Sequence, residues 1–281
     1  MDDYENLKSK KIVGIDAGKC DLIYCVDGAN KDANVFRYSQ DQRRKETKMK
    51  KYNNIILAMK TNKMCGKTII EYETELSNFN KKTLDITKFK EYLRKKNRIN
   101  HILFEFYGKE LFRKLKFGRY INVKRNEQKM INQFKKIFGK PEEIVICIGD
   151  WEQKKQIKFK EQTLGKGMRT LFRKNNYNVF LVDEFRTSCK CSNCNGGVCE
   201  KFMVRKNPKK TKENPKKEIK YDELRLVHGL LRCKSGCGLW NRDRNGSSNI
   251  YKIAENAINK LERPSYLCRE TRNPPLLTSV G

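Results

Sequence analysis

Apolar residues are distributed unevenly along this chain, and their spacing changes twice. Between residues 11 and 39 they fall in three short runs, Ile12–Asp16, Leu22–Val26 and Val35–Tyr38, with Asp27-Gly28 and Asn30–Asn34 between the last two. Short β-branched and aromatic runs bounded by turn formers predict strands. From Gln40 to Phe138 the apolar positions recur three and four apart, as in Ile55, Ile56 and Met59, then Phe89, Tyr92 and Leu93, then Ile102, Leu103 and Phe106. That spacing predicts helices with strongly charged outer faces. Glu143–Gly149 is a nearly continuous apolar run flanked by Pro141, which predicts a strand covered on both faces. A short helix over Gly167–Asn175 and a buried strand over Val179–Val182 follow. Ile250, Ile253, Ala254, Ala257, Ile258 and Leu261 then mark one face of a helix that ends near Pro264.

Three strands, helix, strand, helix, strand, helix is the element order of an RNase H-like α/β fold. The expected architecture is a mixed sheet with flanking helices and a helical insertion over about 40–138. No internal repeat is visible. Among the 281 residues, 63 are Lys or Arg and 33 are Asp or Glu, a formal charge of +30. An AT-rich coding sequence accounts for part of the Lys and Asn excess. The remaining imbalance points to a polyanionic partner, and nucleic acid fits best. Hydrophobic residues make up 37%, enough to exclude wholesale disorder. Eleven cysteines without a secretory signal argue against a disulfide framework, and no apolar stretch reaches membrane-spanning length. The expected location is intracellular, in nucleus or cytoplasm, with no membrane partner.

The cysteines group into two knuckles, Cys191-Ser-Asn-Cys194 and Cys233-Lys-Ser-Gly-Cys237. Two thiolate pairs, each closing a tight turn, suit one tetrahedral zinc ion, and a site filled by four sulfurs is structural. Cys189 or Cys199 offers an alternative register. Cys20, Cys25 and Cys147 fall in expected strands and read as small core residues.

Carboxylates gather at the ends of expected elements. Asp16 ends the first strand and Gly18 lets the chain turn beside it. Asp243 opens the final helix, where it serves either as a metal ligand or as a cap. A phosphodiester-cleaving site with two magnesium ions needs at least one more carboxylate. Asp150 and Glu184 each follow a strand, and on the residues alone the choice between them stays open. Arg242 and Arg244 flank Asp243, either as phosphate contacts or as a solvated pair. Lys109–Arg125 interleaves Arg113, Arg119 and Arg125 with Phe112, Phe117 and Tyr120. This pattern suits single-strand tracking and base stacking, or else an amphipathic helix with its aromatics in the core.

Taken together, Gly14-Ile-Asp16-Ala-Gly18, Thr187–Cys194 and Asn241–Ile250 resemble the TnpB and Fanzor families of RNA-guided nucleases, with the Fanzor branch the nearer. Arg37-Tyr38, Gln42-Arg43, Phe106-Tyr107, Phe112–Lys116, Ile148–Trp151 and Val182–Ser188 extend the resemblance from about residue 11 to residue 262. It implies a RuvC-type core over 1–186, a zinc ribbon over 187–240, the final helix over 241–263 and a tail over 264–281. In bacterial members the second catalytic carboxylate ends the strand where this chain has Gly149-Asp150. In Fanzor-like members it moves to the following strand, the position of Glu184. The resemblance therefore implies Asp16, Glu184 and Asp243 as the magnesium ligands, with Asp150 auxiliary, and Cys191, Cys194, Cys233 and Cys237 as the zinc ligands. It also implies DNA as substrate, a guide RNA and a link to transposition. Two departures stand out. The second knuckle has one residue more than usual, and the wedge and recognition domains that precede the nuclease core in this family have no counterpart before the first strand. The expectation is either a nuclease half that needs partners or a shortened, catalytically silent nucleic-acid-binding copy, of undetermined oligomeric state.

Overall fold

The computed structural model describes residues 6–150, 164–205, 224–269 and 278–279. Trp151, and all but the first residue of the Lys- and Pro-rich stretch over 205–220, lie outside them. In chain order come β1 (Lys11–Asp16), β2 (Asp21–Val26), β3 (Val35–Ser39), α1 (Gln40–Glu46), α2 (Met49–Lys60), β4 (Lys63–Met64), β5 (Lys67–Thr68), α3 (Ile69–Ser77), α4 (Ile86–Tyr107) and α5 (Glu110–Phe138). There follow β6 (Ile144–Gly149), α6 (Gly165–Lys174), β7 (Asn178–Val182), β8 (Cys199–Arg205), β9 (Leu224–Cys233), β10 (Gly238–Asn241), α7 (Arg242–Ile258) and β11 (Thr278–Ser279). The chain forms two compact units, Met1–Gln40 with Lys129–Gly281, and Asp41–Gln128.

The first unit is built on a sheet ordered β11-β7-β6-β1-β2-β3. β1, β2 and β3 run antiparallel as a meander, while β6 and β7 continue parallel to β1. This topology, three antiparallel strands with two parallel ones added at β1, is RNase H-like and makes the chain α/β with a mixed sheet. Ile144, Val145, Ile146, Cys147 and Ile148 are all fully buried. Their side chains alternate between two cores. Ile144, Ile146 and Ile148 meet Met130, Ile131, Phe134 and Phe138 of α5 and Met168 and Phe172 of α6. Val145 and Cys147 meet Ile250, Ile253, Ala254 and Ile258 of α7. Coverage on both faces is why β6 reads as an unbroken apolar run.

Cys20 does not join this core. It lies exposed in the turn before β2, where the Gly18 amide donates to the Asp21 carbonyl, so of the three cysteines expected in this core only Cys25 and Cys147 are buried in it. The helix expected to begin at Gly167 begins at Gly165.

The second unit is mostly helical. Ile69, Tyr72, Ile99, Ile102 and Phe106 form its core, with Met59, Leu103 and Phe112 packed against it. A capping box between Thr68 and Glu71 starts α3, and the Tyr72 hydroxyl ties it to the β4–β5 turn through the Met64 and Cys65 carbonyls.

α7 lies against β1 with no space between them. A Cβ on Gly14 would stand 2.6 Å from the Ser247 carbonyl oxygen and 2.7 Å from the Tyr251 nitrogen. Both obstacles are backbone, so they cannot swing aside. Gly14→Ala is expected to lower unfolding stability by roughly 1–3 kcal/mol, read from a urea denaturation midpoint.

Candidate active site

The acidic residues are brought together by three elements. Asp16 ends β1, and its row across the sheet runs through Tyr24 of β2 to Arg37 of β3. Asp243 stands in the first turn of α7. The cap, the alternative role weighed for Asp243, belongs to Asn241, whose Oδ1 accepts from the backbone N–H groups of Asp243 and Arg244 at 2.9 Å each. The Asp243 carboxylate is thus not engaged in capping. Ser247, one turn later, locks the corner. Its hydroxyl lies 2.7 Å from the Tyr24 and Asp243 carbonyl oxygens and accepts from the Asp16 amide at 3.2 Å.

The structure separates the two acids after β7. Asp183 accepts from Arg269 Nη2 at 2.8 Å and Nε at 3.2 Å, which holds its carboxyl below the usual range although burial works the other way. Glu184 turns toward Asp16. Its carboxylate occupies the space above Gly149, where a Cβ would fall 1.5 Å from Glu184 Oε1. Gly246 of α7 does the same for Asp16, since a Cβ there would fall 2.2 Å from Asp16 Oδ2. Two glycines therefore clear the room that two carboxylates fill. Asp150 is exposed, and the charges it acts on are Arg263 and Arg269.

Burial pushes the Asp16 carboxyl well above its ordinary value, and the charges of Glu184 and Asp243 push it further, against Arg242. Burial raises Asp243 as well, aided by Asp21 and opposed by Arg242 and Arg37. Acids that hold each other's protons on have the donor chemistry of a divalent cation site, because a cation relieves both desolvation and repulsion. Asp21 and Arg37 escaped the sequence reading of this site, because neither lies in an acidic motif. Arg244 is drawn into the fold, donating from Nη2 to the Lys31 carbonyl at 2.8 Å, whereas Arg242 remains exposed.

The cysteine cluster is tighter. Sγ atoms of Cys191, Cys194, Cys233 and Cys237 all lie within 4.8 Å of one another, and no other group of three or more ligating atoms among the described residues is so close. Zn–S bonds of about 2.3 Å give sulfur–sulfur edges of about 3.8 Å, so the donor set fits zinc. Burial opposes ionisation of Cys233, yet the backbone N–H groups of Cys237 and Ser235 outweigh it and bring the thiol down to about 7. Gly236 inside the second knuckle and Gly238 just after it turn the chain at φ +86° and +92°. Cys199 faces Cys233 across the β8–β9 ladder but stands outside the four-sulfur group.

The first knuckle is clamped to α7 by two buried asparagines. Asn245 Oδ1 accepts from the Ser192 amide at 2.9 Å, and its Nδ2 donates to Thr187 and Lys190 carbonyls at 3.0 and 2.7 Å. Asn249 Nδ2 donates to the same two carbonyls at 2.8 Å each. Their i, i+4 spacing puts both on one face, a signal the sequence held without revealing their partner.

In the second unit, α5 divides the expected basic and aromatic stretch. Phe112 packs into the core, while Phe117 and Tyr120 are 65% and 60% exposed. Arg113 and Lys124 share their face, and Lys124 Nζ sits 6.0 Å from the Tyr120 ring centroid. Arg119 and Arg125 are exposed but rotated about 120° to either side of that face, so the three arginines form no single stripe.

No family model and no curated protein matches this chain. Among solved structures it is similar to a chain of a cryo-EM structure of the Cas12f1–sgRNA–target DNA complex, at 16% identity and a TM-score of 0.37. The match covers 85% of this chain and 38% of that chain. No helix among the described residues is long and apolar enough to cross a membrane.

Two outcomes check this geometry. Purified protein is expected to carry one zinc per chain by elemental analysis, and Cys233→Ser to lose it. Gly149→Ala is expected to keep its stability within about 1 kcal/mol, because the obstacle is the Glu184 side chain from Cγ outward, which can swing aside, and not backbone. Calorimetric affinity for manganese is expected to fall at least tenfold, about 1.4 kcal/mol.

Proposed function

We propose that this chain is a metal-dependent nuclease of the TnpB and Cas12 type that cuts DNA, associated with transposition and directed by a guide RNA, with the Fanzor branch as its nearest kin. The observation that carries this reading is the convergence of Asp16, Glu184 and Asp243 from a strand end, a post-strand turn and a helix start, with Gly149 and Gly246 clearing space for two of them. Asp16, Glu184 and Asp243 are the residues that would hold magnesium, which supplies Lewis-acid polarisation of a phosphodiester and an activated water when bound. The protein's own contribution is to fix three anionic oxygens on rigid elements and to keep them partly desolvated. Arg242 offsets the negative charge at the rim and, with the remaining exposed part of Arg244, supplies cations to the strand's backbone; Arg113, Arg119 and Arg125 are the cations that the second unit by itself offers to nucleic acid. Asp150 is the auxiliary acid in this reading. The cysteine ribbon, holding zinc, anchors the turn that follows Glu184 through Asn245 and Asn249.

The exposed Arg113, Phe117, Tyr120 and Lys124 face favours a second reading, a catalytically silent nucleic-acid-binding protein. Incubation of a labelled single-stranded DNA with the zinc-loaded chain and magnesium separates the two. The nuclease reading expects cleavage that stops on chelation and falls at least a thousandfold in Asp16→Ala. Equal product from wild type and Asp16→Ala, or tight binding with no cutting at all, would remove the nuclease assignment.

A further inference from the structure

Row by row, the sheet places one more functional group beside the carboxylates. Asp16 pairs with Tyr24 and Tyr24 pairs with Arg37, so these three side chains leave the sheet on the same face. It is the face covered by α7, because Gly14, two residues before Asp16, touches Ser247 and Tyr251. Two strand spacings separate Arg37 from Asp16, about 10 Å from backbone to backbone. An extended arginine covers much of that distance.

What aims Arg37 is unusual for a strand residue. The β2–β3 ladder is irregular between Asp21 and Ile23, and both Leu22 and Ile23 enter the core on the opposite face. A bulge of this kind breaks the alternation, and here it turns Asp21 onto the face that carries Tyr24 and Arg37. Asp21 is 3% exposed, and its Oδ1 accepts from Arg37 Nε at 2.6 Å. The Arg37 side chain is nevertheless 58% exposed. A buried carboxylate thus grips the inner nitrogen of a guanidinium on a side chain that stays largely open to solvent near Asp243. A pair formed only to stabilise the fold would gain little from an arginine left this open.

We propose that Arg37 binds a backbone phosphate of the nucleic-acid strand that occupies the Asp16, Glu184 and Asp243 site, and that Asp21 is the residue that positions it. The inference rests on the nuclease reading for the identity of the strand. A planar fork with two free donors matches a phosphodiester's two non-bridging oxygens, which a lysine cannot reproduce. The field of Arg37 reaches Asp243, so the cation lies close enough to draw a phosphate against the acids' own repulsion.

The test uses the full chain, zinc-loaded, with a single-stranded DNA oligonucleotide, in calcium for binding and magnesium for cutting. Losing one phosphate contact is expected to flatten the slope of log affinity against log salt by about 0.7 in Arg37→Ala. A purely structural role would leave that slope unchanged. Arg37→Lys is expected to restore the slope but not the affinity, and Asp21→Asn to weaken affinity several-fold with the slope retained. In magnesium, kcat/KM of Arg37→Ala is expected to fall 10- to 100-fold. An Asp21→Asn/Arg37→Gln double variant keeps a neutral hydrogen-bonded pair in place, so it answers the question even if the single variant unfolds. Wild-type slope and affinity in folded Arg37→Ala and in the double variant overturn the proposal. A flattened slope in a protein that never cuts supports the phosphate contact while removing the nuclease reading.

Discussion

Everything at the candidate site depends on how closely α7 can approach β1. The contact is backbone on backbone at Gly14, and the helix could not sit there over any larger residue. From that seat Ser247 reaches the Asp16 amide, the Tyr24 carbonyl and its own first turn, fixing β1, β2 and the helix start as one corner. Gly246 then admits the Asp16 carboxylate, and Asn245 and Asn249 hold the first knuckle. A single helix therefore carries a carboxylate, the cavity for a second, and the clamp for the segment that follows the third.

This arrangement runs against stability at one point. Burying Asp16 beside two further carboxylates costs free energy, as its raised proton affinity records. Arg242 offsets part of that cost at Asp16, as Arg242 and Arg37 do at Asp243, and a divalent cation would offset more. Structural ion pairs elsewhere are arranged oppositely. Asp183 is surrounded by arginines, and Lys11 pairs with the mostly buried Asp27. The contrast between acids satisfied by cations and acids set against one another distinguishes a ligand-binding cluster from ordinary charge pairing.

Much of the architecture was legible in the residues. The apolar run over β6, the meander and the last helix follow from spacing and turn chemistry, because burial on one or two faces leaves a periodic trace. The knuckles were legible because ligand spacing is local. The choice between Asp150 and Glu184 was not, and neither was the role of Asp21. Which acid faces Asp16 depends on the turn after β7 and on the vacancy at Gly149, both set by packing against other strands. Asp21 reaches its face through a bulge, which no alternation pattern announces.

The amino-acid order by itself determined the main strands and helices, the two cysteine knuckles and the basic character, since each arises from neighbours within a few residues or from simple charge counts. Tertiary structure alone decided which side chains from distant elements meet. It placed Glu184 rather than Asp150 beside Asp16, turned Asp21 through a bulge onto the face of Arg37, and set Asn245 and Asn249 against the first knuckle. The physical reason is the same in each case. Orientation is set by strand register and helix rotation against distant partners, and those partners are joined only when the chain has folded.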